Sequence, residues 1–192
     1  MRVVGADQSA SPHSAHRGNP VRVGPYTVLA GGTSYLQPED LSQADILVPL
    51  TDRIPVGEFG SFYEILAAPM RDFGGVPPGW ETFLKEEVVP LLVGGEKILA
   101  FCVGGHGRTG TFLASLIALI ETSEETPDPI EAVRARHCRQ AVETRAQAEA
   151  IFALRGEPLP EKYQREFAPR QAPTPTSGKL VWGQAVTSLP GS

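Results

Sequence analysis

Cysteine is scarce in this chain, with only Cys102 and Cys138 among 192 residues. Two cysteines cannot build a disulfide framework, and a reactive thiol persists only in a reducing compartment. Basic residues are outnumbered, 17 against 22 acidic ones, and the net charge of −5 gives no support for a nucleic-acid partner. Long apolar runs are missing. The longest, residues 112–120, falls far short of the roughly 20 residues that span a bilayer. The first ten residues contain no apolar core of signal-peptide type. These absences point to a cytoplasmic protein without a membrane partner. Histidine is also sparse: His13 and His16 stand near the start, with His106 and His137 far off along the chain. No Cys/His spacing resembles a zinc motif, so no metal is expected.

What is present is an ordinary globular composition, 41% apolar and 20% charged, in a chain long enough for one domain with a sizeable core. The informative stretch is 97–111, Lys-Ile-Leu-Ala-Phe-Cys-Val-Gly-Gly-His-Gly-Arg-Thr-Gly-Thr. The apolar run 98–103 reads as a buried strand. A glycine-dense loop follows, and the run from Thr111 to Ile120 reads as a buried helix. A strand feeding a loop that opens onto a helix N-terminus is suited to bind an anion, because free N–H groups and the helix dipole converge there. Gly104, Gly105 and Gly107 let the backbone curl closely around the anion, and Arg108 adds a two-pronged hydrogen bond. The same donors favour a thiolate at Cys102, placed for in-line attack on phosphorus. A buried core cysteine is the plain alternative. Three glycines and an arginine at this spacing argue against it.

Residues 102–110, Cys-Val-Gly-Gly-His-Gly-Arg-Thr-Gly, resemble the signature loop of the cysteine-dependent protein tyrosine phosphatases. The pattern there is a Cys, five residues, an Arg and a Ser or Thr, with a glycine three after the Cys, the place Gly105 fills. The small dual-specificity group is the nearer neighbour, because no aromatic recognition loop of the larger members is found. The resemblance spans roughly residues 24–155. It implies an α/β fold with a twisted, mostly parallel central sheet flanked by helices, the signature loop lying between a central strand and a helix. It implies a phosphomonoester hydrolase that works without cofactor or metal. The substrate would be phosphotyrosine, and for a dual-specificity member also phosphoserine and phosphothreonine, in a phosphorylated protein or peptide. One departure is Phe101, where the family usually has His directly before the Cys.

The resemblance also implies roles. Cys102 is the nucleophile, and residues 103–108 (Val103, Gly104, Gly105, His106, Gly107 and Arg108) bind the phosphate. The Thr109 hydroxyl hydrogen-bonds the departing thiolate; a helix first-turn cap is its plain alternative. A poor leaving group needs a proton. The family's acid is an Asp some 30 residues before the Cys, and Asp72 stands 30 before Cys102. Its loop differs from the family's in Arg71 before the Asp and in one extra glycine, Gly74-Gly75, placed to hinge closure. Asp52 is the weaker candidate. Downstream, residues 139–147 resemble the glutamine segment that orients water for hydrolysis of the phosphocysteine. Gln147 matches its second Gln, and Glu143 stands where many relatives carry the first. Cys138 reads as a structural thiol.

Around these motifs the chain reads as a flexible arm over 1–20, a catalytic domain over 21–155 and a Pro-rich tail over 156–192. Short strands are expected at 26–30, 45–50 and 63–67. A helical stripe, Trp80, Phe83, Leu84, Val88, Leu91 and Leu92, should end or kink at Pro90. Helices are expected at 108–121, at 130–137 and in a segment carrying Val142 to Leu154, and Val181-Trp182 is a candidate strand in the tail.

Other readings place a different activity on the same loop. A phosphoinositide phosphatase would carry lysines where this loop has Val103 and His106, and an RNA 5′-phosphatase fits poorly with an acidic chain. A phosphoprotein-binding pseudophosphatase would not need Cys102, Arg108, Thr109 and Asp72 together. Sulfur-transfer or arsenate-reducing loops predict neither the upstream Asp nor the glutamine segment.

Overall fold

A computed structural model describes residues 16–51 and 63–169. Asp52 and Val181-Trp182 lie outside the described residues.

Five strands form one mixed sheet in the order β1-β2-β5-β3-β4: β1 (Arg17–Val23), β2 (Tyr26–Gly32), β3 (Ile46–Pro49), β4 (Glu64–Ile65) and β5 (Ile98–Cys102). Only the β1–β2 hairpin is antiparallel; the other pairings are parallel. This is the twisted, mostly parallel α/β sheet that the resemblance implies. Alternation along β5 sorts its side chains. Ile98, Ala100 and Cys102 enter the main core, whereas Leu99 and Phe101 enter a smaller cluster with Leu41 and Leu47 on the other face. That second face is covered by the short helix α1 (Pro38–Leu41). Phe101 therefore points away from Cys102, into apolar packing.

The main core lies under α4 (Gly107–Ile120), buried on almost every side because its sequence is apolar nearly all round. α5 (Pro129–Arg136) and α6 (Arg145–Ala153) pack on it, each with a capping side chain, Asp128 and Thr144. Trp80 donates its indole N–H to the Ser115 hydroxyl of α4 at 3.0 Å.

Several expectations are corrected. The expected arm, 1–20, overlaps β1: from Arg17 the chain is strand, fixed by cross-strand pairing with 26–31. Pro90 does not end its helix. α2 (Trp80–Thr82) runs into a π-helical stretch, Phe83–Val88, and continues as α3 (Val89–Gly94). The wider π turn makes room for the proline ring against the preceding turn, and Gly95 (φ +89°) ends the helix. The strand expected at 63–67 pairs only at Glu64–Ile65, yet Leu66, Ala68 and Met70 donate in turn to Leu47, Pro49 and Leu50. That contact carries the chain along β3 to the loop holding Asp72. Val142 lies outside α6, which begins at Arg145. The expected tail contains α7 (Glu161–Glu166), a short helix that tertiary contacts hold rather than its own periodicity. Tyr163 is fully buried between Phe152 and Phe167, and its hydroxyl donates to Asp128 at 2.9 Å.

Candidate active site

β5 ends at Cys102 between two parallel neighbours, and α4 starts at Gly107, so residues 103–106 must turn within four residues. Backbone is packed against backbone to make that turn. A Cβ on Gly32 would lie 2.7 Å from both the Gly104 carbonyl carbon and the Gly105 nitrogen. Gly105 adopts φ +76°, and a Cβ there would meet the Gly31 carbonyl at 3.0 Å. Thr33 and Ser34 donate to the Cys102 and Val103 carbonyls at 2.8 and 3.2 Å. Gly31 and Gly32, at the end of β2, are the seat on which the loop rests.

Cys102, 2% exposed, lines a cleft of about 200 Å³, and its Sγ accepts the Gly105 N–H at 3.2 Å. The loop backbone, Asp72, Arg108 and Glu143 surround it, with Phe73 and Val103 exposed at the rim. The Arg108 guanidinium is almost wholly buried. It meets the Asp72 carboxylate at 3.0 Å and donates to the Met70 carbonyl at 3.4 Å. The loop carrying Asp72 thus lies directly over the signature loop.

Glu143 enters from the other side. Its carboxylate is packed so closely on Gly107 that any side chain there would collide with it. Burial and the neighbouring Asp72 charge push its carboxyl above the usual range, opposed by Arg108 and by the Gly107 N–H. The residues beside these two carboxylates, Phe73 (φ +52°) and Val142 (φ +64°), are the only non-glycine positions with positive φ among the described residues. For Val142, β-branched and buried, this is a strained conformation of the kind found where a neighbouring side chain is held for function.

Two expected site residues have other partners here. The Thr109 hydroxyl donates to the Gly31 carbonyl at 3.3 Å rather than to Cys102, because the loop rests against β2 at that point. Gln147 is fully buried and does not line the cleft. Its Oε1 accepts the Glu143 N–H at 2.8 Å, and its Nε2 has no hydrogen-bond partner. Gln147 therefore holds the backbone of Glu143, and Glu143 faces the cleft. The histidines expected to be far apart converge instead: the rings of His106 and His137 lie 4.3 and 5.1 Å from that of His16. A larger hollow of about 640 Å³ around Arg22, Glu121 and Arg136 is lined by no cysteine or histidine.

The architecture is that of the tyrosine and dual-specificity phosphatase fold. Among solved structures, Tk-PTP in its active form is 21% identical with a TM-score of 0.57, covering 71% of this chain and 96% of that one. The human tyrosine phosphatase-like serine/threonine/tyrosine-interacting protein is 16% identical, with a TM-score of 0.57 and coverage of 73% and 97%. PTPMT1 in complex with PI(5)P is 16% identical, with a TM-score of 0.52 and coverage of 67% and 90%. Identity at this level speaks for the fold alone. Two uncharacterised proteins of Methanocaldococcus jannaschii are 39% and 37% identical over 88 residues, which is 45% of this chain. The chain spans about half the length of these relatives, 52% and 56%. No protein-family model matches the chain.

Proposed function

We propose that the protein is a cysteine-dependent phosphomonoester hydrolase that removes phosphate from phosphotyrosine, and also from phosphoserine and phosphothreonine, in proteins. The observation that carries this reading is the position of Cys102 Sγ against the Gly105 N–H, with Arg108 and Asp72 paired at the same cleft.

The substrate phosphate enters over Sγ. The loop N–H groups and the Arg108 fork take its non-bridging oxygens, spreading charge that builds in the transition state. Binding of the dianion displaces Asp72 from Arg108, so the acid is released only when substrate is present. Sγ attacks phosphorus in line as the phosphorus–oxygen ester bond breaks, and Asp72 gives its proton to the leaving oxygen. Cys102 is left as a phosphocysteine. A water held by Glu143 then attacks phosphorus and gives its proton to the Asp72 carboxylate; the phosphorus–sulfur bond breaks, inorganic phosphate leaves and the thiolate returns. Gln147 acts as a positioning residue through its hydrogen bond to the Glu143 backbone. Thr109 holds the loop on β2.

The substrate class rests on the rim. Phe73 (68% exposed) and Val103 (42% exposed) offer apolar surface to an aryl ring, and the cleft is small enough to leave alkyl phosphoesters within reach of Sγ. The cleft carries two carboxylates, Asp72 and Glu143, and no lysine, which weighs against polyanionic inositol headgroups. A thiol nucleophile fits a reducing compartment.

The test is hydrolysis of a phosphotyrosine and a phosphothreonine peptide under reducing conditions, using wild type and Cys102→Ser. Turnover of both by wild type and neither by the variant is expected. A folded wild type that binds phosphopeptide without turnover would contradict an enzymatic role.

A further inference from the structure

Beside the signature loop, residues from three separate segments of the chain converge. His16, at the entry to β1, is 1% exposed, and its ring stands edge-on to that of His106 with centroids 4.3 Å apart. His106 Nδ1 lies 3.5 Å from Sγ of Cys138, in the connection between α5 and α6. One ligating atom from each of His16, His106 and Cys138 falls within 4.8 Å of the other two. His137 lies alongside, 5.1 Å from the His16 ring. Its Nε2 is 2.7 Å from the Gly105 carbonyl, a contact that requires the proton on Nε2. Its Nδ1 is buried without a hydrogen-bond partner.

Two imidazoles and a thiol are a donor set for a borderline-soft divalent ion. Zinc takes nitrogen at about 2.0–2.1 Å and sulfur at about 2.3 Å in tetrahedral geometry, which puts a ligand N and S about 3.6 Å apart. The His106–Cys138 separation of 3.5 Å already meets that requirement. Magnesium and calcium need oxygen ligands, and this group contains no carboxylate.

We infer that His16, His106 and Cys138 form a binding site for a divalent transition-metal ion of the zinc type. The three residues supply three ligands, and the fourth position is open. Cys138 coordinates as the thiolate and releases its proton to solvent. The ion ties the start of β1, the signature loop and the α5–α6 connection together. His106 directly precedes α4 and also lines the cleft, so the ion fixes the anion-binding loop from its outer side. The site employs the thiol that phosphoryl transfer does not use, and it takes no part in that reaction.

Because the chain has two cysteines, Cys102→Ser leaves Cys138 as its only thiol and removes the nucleophile as a competing ligand. The metal-stripped, reduced Cys102→Ser chain is titrated with cobalt(II) and followed by absorption. It should bind one equivalent with a thiolate-to-cobalt charge-transfer band, lose the band on adding zinc, and melt at higher temperature with zinc. In that background, His16→Asn and Cys138→Ser should each weaken zinc by more than the roughly 10–100-fold that loss of an outer partner causes. Circular dichroism checks that both variants fold. Absence of the thiolate band in Cys102→Ser overturns the site whether or not the ligand variants fold.

Discussion

Asp72 and Arg108 face each other across the mouth of the cleft, carboxylate to guanidinium at 3.0 Å, the carboxylate largely exposed and the guanidinium almost wholly buried. Phosphate and Asp72 thus compete for one guanidinium. Replacing Asp72 with Asn should have two effects of opposite sign. Turnover of a phosphotyrosine peptide, whose leaving group needs a proton, should fall by about 10²-fold or more, and that of p-nitrophenyl phosphate by much less. Inorganic phosphate should inhibit the variant more strongly than wild type. Equal losses on both substrates would remove Asp72 from the acid role.

Glu143 faces the cleft and Gln147 holds it from behind. Glu143→Ala should slow hydrolysis of the phosphocysteine more than its formation. A rapid burst of p-nitrophenol, near one equivalent per enzyme, should then precede a slow steady state. Gln147→Ala should give a smaller burst by letting the Glu143 backbone shift. A variant that slows the burst itself would place Glu143 in the first step instead.

Gly110 is packed against the turn that presents Glu143. A Cβ there would lie 2.6 Å from the Ala141 Cβ and 2.7 Å from its Cα. Gly110→Ala should therefore destabilise the fold by about 1–3 kcal/mol, as overpacking of a close contact does, and lower activity by displacing residues 141–143. Denaturant unfolding together with kcat measures both. A variant as stable as wild type would show that the turn yields freely.

Glu121 anchors the far end of α4. Burial opposes its charge, but Arg136, the Thr126 hydroxyl and the Gly24 N–H at 2.7 Å hold its carboxyl down at about 2, from 4.5. Between those values the unfolded chain binds more protons at this residue than the folded one, so stability falls as pH is lowered. The contribution is complete above pH 4.5, is lost as pH falls through about 2, and amounts to at most about 3 kcal/mol. The melting temperature of wild type should drop across that window more than that of Glu121→Gln. Parallel curves would contradict the coupling.

The loop from Cys102 to Thr109 was legible because its chemistry is contiguous: strand, glycines, arginine and helix follow in order. The place of Asp72 at the cleft was legible by its offset from the cysteine. Residues whose role depends on distant packing were not. Gly31 and Gly32 look like a strand end in sequence, and only the return of Gly105 onto them explains both glycines. The exchange of roles between Gln147 and Glu143 depends on the strained turn at Val142, which helical periodicity masks. α7 is too short to announce itself and forms where Tyr163 meets Phe152 and Phe167. His16 is 90 residues from His106, so no spacing motif could join them.

The central claim is that Cys102 carries the phosphoryl group. The most direct test is to mix enzyme with p-nitrophenyl phosphate under reducing conditions, denature rapidly, and map the modification by peptide mass spectrometry. A phosphoryl group on the peptide containing Cys102, absent in Cys102→Ser and accumulating in Glu143→Ala, is the predicted result. Turnover with no phosphorylated Cys102 in any variant, or turnover that persists in Cys102→Ser, would contradict the account.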